Sequence, residues 1–160
     1  LRKWKAEGRP VTDEPPPART PRHFTPRFNA GLVRDRGDVE ALIGNRTVQI
    51  VDARAAARFE GGVPEPRAGL RSGHIPSSRN VAFQSLLNAD GTLKDKTSLA
   101  KVFADAGVDI DRPVVASCGS GVTAGVVAFA LAQLGRDRAP ARAAGLALER
   151  VRANPLREHR

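Results

Sequence analysis

Apolar residues along the 160-residue chain fall into short runs separated by polar stretches rich in Gly and Pro. Val39, Leu42 and Ile43 have helical spacing and predict a helix within 33–44, with Gly44 placed to stop it. Val48-Gln49-Ile50-Val51-Asp52 reads as a buried strand that ends in a carboxylate. Residues 52–71 are rich in Arg, Gly and Pro and too irregular for a long element, and Gly73-His74-Ile75-Pro76 turns into a short strand at 80–83. Leu99, Val102, Phe103 and Ala106 form an i, i+3, i+4, i+7 stripe that predicts a helix over 97–106, closed by Gly107. Pro113 to Ser117 is a short apolar strand, and residues 122–134 are apolar almost all round, as in a helix packed on a sheet. Strands alternating with helices predict an α/β fold with a parallel sheet.

Outside these elements the chain opens on Pro10, Pro15, Pro16, Pro17, Pro21 and Pro26, a stretch that reads as an extended linker. Leu1 to Gly8, with Trp4, looks either like the exposed end of a helix whose own domain lies elsewhere or like a disordered terminus. With 41% apolar residues the chain has enough core for one domain. The net charge of +9 suggests a polyanionic partner until it is located: residues 1–34 carry +5, 35–135 carry zero, and 136–160 carry +4. The middle is neutral, and no aromatic-interleaved patch accompanies the terminal arginines, so a nucleic-acid partner is not expected. No apolar run reaches the roughly 18 to 20 residues that span a bilayer, so neither is a membrane. The chain starts at Leu1 and holds no Met, which is expected of a fragment or a processed piece. Cys118 is its only cysteine, no intramolecular disulfide is open to it, and a reducing, cytoplasmic setting is expected.

Cys118-Gly119-Ser120-Gly121-Val122-Thr123, between the predicted strand and the last helix, is the most chemically suggestive segment. A loop at the carboxyl end of a parallel strand lies where open α/β folds bind ligands. If it wraps around the sulfur, backbone N–H groups and the helix start direct positive partial charge at it and favour thiolate over thiol. The two glycines allow the tight turn this requires. Residue types alone leave two readings open, a nucleophile or a small buried hydrophobe. Phosphate chemistry is excluded: a Cys-x5-Arg loop needs Arg where Ala124 stands, and a nucleotide loop of the GxxxxGK type needs a Lys this segment lacks.

The segments together resemble the rhodanese superfamily, specifically the carboxyl-terminal catalytic domain of its two-domain 3-mercaptopyruvate and thiosulfate sulfurtransferases. The resemblance runs from about Trp4 to Gly135 and rests on several motifs in the family's order. Trp4-Lys5-Ala6-Glu7-Gly8-Arg9-Pro10 looks like the end of an amino-terminal rhodanese domain. Val51-Asp52-Ala53-Arg54, Arg58-Phe59, Pro64-Glu65-Pro66-Arg67, Gly73-His74-Ile75-Pro76 and Leu87-Asn88-Ala89-Asp90-Gly91-Thr92 follow, and the Cys118 loop completes the set. The implied fold is a rhodanese-like parallel sheet with helices on both faces, incomplete at its C-terminal strand. The implied layout is a domain remnant and linker over 1–33, a catalytic domain over 34–135 and a departing tail over 136–160.

The resemblance implies a sulfurtransferase that carries a sulfane sulfur from 3-mercaptopyruvate, or thiosulfate, as a persulfide on Cys118 and passes it to cyanide or an acceptor thiol. Catalytic roles fall on Cys118 and Ser120. Backbone N–H groups from Gly119, Ser120, Gly121, Val122 and Thr123 would steady the anion and the persulfide. Arg58 and Arg67 match the arginines that hold the donor's carboxylate. Thiosulfate-preferring members carry Arg-Lys in place of Gly119-Ser120, so the mercaptopyruvate type is the nearer match. Ser120 has two roles open to it, polarising the donor or satisfying the loop backbone. Arg54 is expected to pair with neighbouring loops, His74 to make a structural hydrogen bond, and Asp52 to fix the loop after its strand. No metal or cofactor is expected. The implied partners are a small-molecule sulfur donor, a thiol acceptor such as a thioredoxin-like protein, and the missing amino-terminal rhodanese domain, which would supply an Asp to a Cys-Ser-Asp arrangement.

Residues 136–160 depart from the family pattern: they contain no Tyr, Trp or Phe and are rich in Arg and Ala. A shifted reading frame in GC-rich DNA or a divergent terminus would each produce this. That departure and the missing domain support an alternative, a non-catalytic rhodanese module or persulfide carrier.

Overall fold

Four strands form one sheet: β1 (Gln49–Asp52), β2 (Arg79–Asn80), β3 (Val114–Ser117) and β4 (Arg142–Ala144). Their spatial order is β2-β1-β3-β4, and each neighbouring pair is parallel. The computed structural model describes residues 1–135 and the backbone of 142–144. Every residue of β1 and β3 is buried, which explains their continuous apolar runs: a central parallel strand is covered on both faces. Alternate side chains serve different clusters. Val51, Val114 and Ala116 pack with Leu99, Phe103, Ala124, Val127, Ala130 and Leu131, whereas Ile50 and Val115 pack with Val39 and Ile75. Helices therefore flank both faces, as the resemblance implies.

The helices are α1 (Arg2–Ala6), α2 (Arg36–Glu40), α3 (Ala56–Phe59), α4 (Lys96–Asp105) and α5 (Val122–Gln133). The helix expected within 33–44 is confined to 36–40. Asp35 starts it with a capping box to Asp38, and Leu42, though packed on the smaller cluster, lies in the turns that follow. The strand expected at 80–83 ends at Asn80, because Phe83–Leu86 winds into a 3-10 turn. In the irregular Asp52–Arg71 segment the only helix is the single turn α3. Leu1–Gly8 contains α1, an exposed turn of helix.

One expectation is corrected. The sheet does not lack a strand next to β3, since Arg142–Ala144 pairs there in parallel, with Ala116 opposite Ala143. A parallel ladder uses backbone N–H and C=O groups, which an Arg/Ala sequence supplies as well as an aromatic one. The rest of the expected tail, including its origin, lies outside the described residues. No described helix is long and apolar enough to cross a membrane.

Candidate active site

The carboxyl ends of β1 and β3 lie side by side, with Asp52 opposite Ser117 and the Ala53 N–H donating to the Ser117 carbonyl at 2.9 Å. Cys118 is the next residue along β3 and is buried. The chain then turns through Gly121, whose φ of +85° is left-handed, and enters α5. This turn brings the Gly121 N–H to 3.0 Å from the Cys118 Sγ, where it donates. Burial pushes the Cys118 thiol up, but donors around the sulfur outweigh it. The Thr123 side chain and the N–H groups of Ala124, Ser120 and Gly121 hold the thiol below its ordinary range. The sulfur is thus buried among donors that favour its thiolate form, an environment unlike that of a purely apolar core residue.

The two loop glycines serve different ends. Only Gly121 has a left-handed backbone. Gly119 instead lies beside Arg58: a Cβ there would stand 3.4 Å from the Arg58 Nη2, at ordinary contact distance. Arg58 thus lies against the Cys118 loop, and its hydrogen bond to Glu65, followed by the nearby negative charges of Glu65 and Asp52, holds its guanidinium in the charged form.

Behind Arg58 is a buried ionic chain. Asp52, at the end of β1, accepts from the Arg54 Nε at 3.0 Å and from the Arg54 backbone N–H at 2.9 Å. Arg54 Nη2 also donates to the Gly73 carbonyl at 2.7 Å, and its Nη1 donates to Glu65 at 2.8 Å. Glu65 receives both Nε and Nη2 of Arg58, and those contacts hold its carboxyl below the usual range. The side chains of Arg54 and Glu65 are each 1% exposed, against 28% for Arg58, so only the last member of the chain faces solvent.

Other predicted residues take clear places. Arg54 and Asp52 are structural, as expected, and Asn80 supports them by donating to the Asp52 and Arg54 carbonyls at 3.1 and 2.9 Å. His74 stacks on Phe59 with ring centroids 3.9 Å apart, and its Nδ1 lies 2.7 Å from the Phe59 carbonyl, which is a structural hydrogen bond. The Ser120 side chain is exposed and its hydroxyl bonds to no described residue, so it does not satisfy the loop backbone. Arg67 is exposed on the Gly61–Ser72 loop, and its guanidinium meets no described partner. The structure therefore brings Arg58 to the Cys118 loop and leaves Arg67 free in the loop that carries Glu65.

Sequence reasoning gave Glu65 no role. The available signal was a carboxylate in the Pro64-Glu65-Pro66-Arg67 motif, in a segment otherwise dominated by arginines. Among the described residues no group of three or more His, Cys, Asp or Glu side chains could hold a metal ion.

Comparison with known proteins places this geometry in a family. The 3-mercaptopyruvate sulfurtransferase of Escherichia coli K12 is 48% identical over 111 residues, which are 69% of this chain and 39% of that protein. The thiosulfate sulfurtransferase of Rattus norvegicus is 40% identical over 131 residues, 81% of this chain and 44% of that protein. The crystal structure of SseA from Escherichia coli, described as a 3-mercaptopyruvate sulfotransferase, superposes with a TM-score of 0.71 at 38% identity, covering 90% of this chain and 52% of that one. The chain spans about two fifths of the curated relatives it matches. The Rhodanese-like domain profile matches residues 35–145, and the chain is accordingly a member of the rhodanese-like domain family.

Proposed function

We infer that the chain is the sulfur-carrying module of a sulfurtransferase of the 3-mercaptopyruvate type. The observation that carries this reading is the buried Cys118 sulfur, ringed by donors from Thr123, Ala124, Ser120 and Gly121 that lower its pKa, with the Arg58 guanidinium beside Gly119.

In the proposed step the Cys118 thiolate attacks the sulfur of 3-mercaptopyruvate and an S–S bond forms. The donor's C–S bond breaks, its electron pair passes to the carbon as an enolate, and the proton of the donor's thiol ends on that carbon. The products are a Cys118 persulfide anion and pyruvate, so charge and atoms balance. The N–H groups that hold the thiolate are placed to hold the persulfide anion as well. Arg58 takes the donor's carboxylate through the N–H groups that Glu65 leaves free, with Arg67 as its second ligand. Ser120, exposed and unpaired among the described residues, is free to donate to the donor's carbonyl. An acceptor thiol, such as that of a thioredoxin-like protein, then removes the outer sulfur and restores the Cys118 thiolate.

A loop without charged side chains suits a donor with one carboxylate better than dianionic thiosulfate, which favours 3-mercaptopyruvate. The carrier reading has one observation in its favour: no described carboxylate meets the Ser120 hydroxyl. Pyruvate release measured with excess 3-mercaptopyruvate and dithiothreitol separates the two. Sustained release supports the enzyme, and a single equivalent per chain supports the carrier.

A further inference from the structure

The geometry points to Glu65 as the residue that positions Arg58 toward the Cys118 loop, so that Arg58 captures the donor's carboxylate by aimed N–H groups and not by net charge. This rests on the reading of Arg58 given above.

Arg58 is not fixed by its own element. It lies in α3, a single turn with no side-chain cap, and the Gly61–Ser72 loop that follows contains no helix or strand. What fixes it is Glu65, which grips the Nε–Nη2 edge of the guanidinium with both carboxylate oxygens. What fixes Glu65 is Arg54 Nη1, and Arg54 is bound in turn to Asp52 at the end of a central strand and to the Gly73 carbonyl. Rigidity therefore passes from the sheet to Arg58 through Glu65. The side-on grip occupies two of the five guanidinium N–H groups and leaves three free, two on Nη1 and one on Nη2. Nη2 is the atom against Gly119.

Asp52 and Glu65 balance Arg54 and Arg58, so the network carries no net charge toward an incoming anion. Neutralising Glu65 adds one positive charge near Cys118, and a simple field effect would then draw carboxylates in. Loss of aim has the opposite sign.

The test compares alkylation of Cys118 in the full chain by 3-bromopyruvate and by bromoacetone, two bromomethyl ketones that differ by a carboxylate in place of a methyl group. Each rate is normalised to that of free N-acetylcysteine, so the ratio reports carboxylate capture without requiring sulfur transfer. Glu65→Gln is expected to lower the ratio at least about fivefold, as for loss of one charge-assisted hydrogen bond. In an Arg58→Ala background it should lower it no further. Glu65→Asp keeps the charge but withdraws the carboxylate by one methylene, and it gives the same direction if the Gln variant fails to fold. A ratio unchanged or raised by the Glu65 variants, while Arg58→Ala lowers it, overturns the role of Glu65 and leaves the Arg58 reading standing. A ratio lowered equally with and without Arg58 also overturns it. A ratio unchanged by Arg58→Ala removes the Arg58 reading itself, and this inference with it.

Discussion

Replacing Thr123 by Val removes one donor from the Cys118 sulfur and little else. Both side chains are β-branched and of similar size, and Thr123 sits only half-buried in the first turn of α5. Among the groups that lower the Cys118 pKa its side chain contributes most, ahead of the Ala124, Ser120 and Gly121 N–H groups, which remain in the variant. A hydrogen bond to a charged acceptor contributes about 1.5 to 3 kcal/mol. Taking the lower end because three donors survive, the loss corresponds to about a tenfold smaller thiolate fraction at any pH below both titration midpoints. The assay is the pH profile of iodoacetamide alkylation. The variant should react about tenfold more slowly on the acidic side and converge with the parent chain at high pH, where both are fully ionised. Thr123→Ser, which keeps the hydroxyl, should follow the parent profile. Superimposable profiles for Thr123→Val would refute the claim that this hydroxyl holds the thiolate, and uniform slowing at every pH would show changed access.

Three further outcomes follow from the same contacts. Arg54→Met leaves the buried Asp52 and Glu65 carboxylates without their shared cation and should cost about 3 to 5 kcal/mol in denaturant unfolding; a loss below about 1 kcal/mol would contradict the buried chain. Arg58→Ala should raise the KM for 3-mercaptopyruvate well above any effect on thiosulfate, and equal effects on both donors would remove its carboxylate role. The folded thiol titrates below its ordinary value, so folding favours the thiolate. That stabilisation is complete above the unfolded thiol pKa of about 8.5 and is lost as pH falls through the folded value. The stability advantage of the parent chain over Cys118→Ser should therefore grow as pH rises toward about 9, and a pH-independent difference would contradict the shift.

The parts of this fold that local pattern governs were legible in the sequence. β1 and β3 appear as short apolar runs because both of their faces are covered, and α4 appears as a stripe because one face is. The Cys118 turn was legible because Gly and the start of an apolar helix follow a strand directly. Features that depend on distant partners were not. The approach of Arg58 to Gly119 joins positions sixty-one residues apart, and no spacing rule reports it. Glu65 reads as an ordinary loop carboxylate until the fold inserts it between two guanidinia. The helix near 33–44 was overextended because Leu42 and Ile43 keep helical spacing in turns. β4 was missed because its pairing is a backbone property of Arg142–Ala144 that carries no apolar signature.

In the proposed chemistry Cys118 carries the sulfur. Intact-mass and peptide mass spectrometry of the chain after incubation with 3-mercaptopyruvate tests it most directly. One added sulfur is expected, located on the peptide containing Cys118 and absent from Cys118→Ser. No adduct on a folded sample, or an adduct that persists in Cys118→Ser, would contradict it.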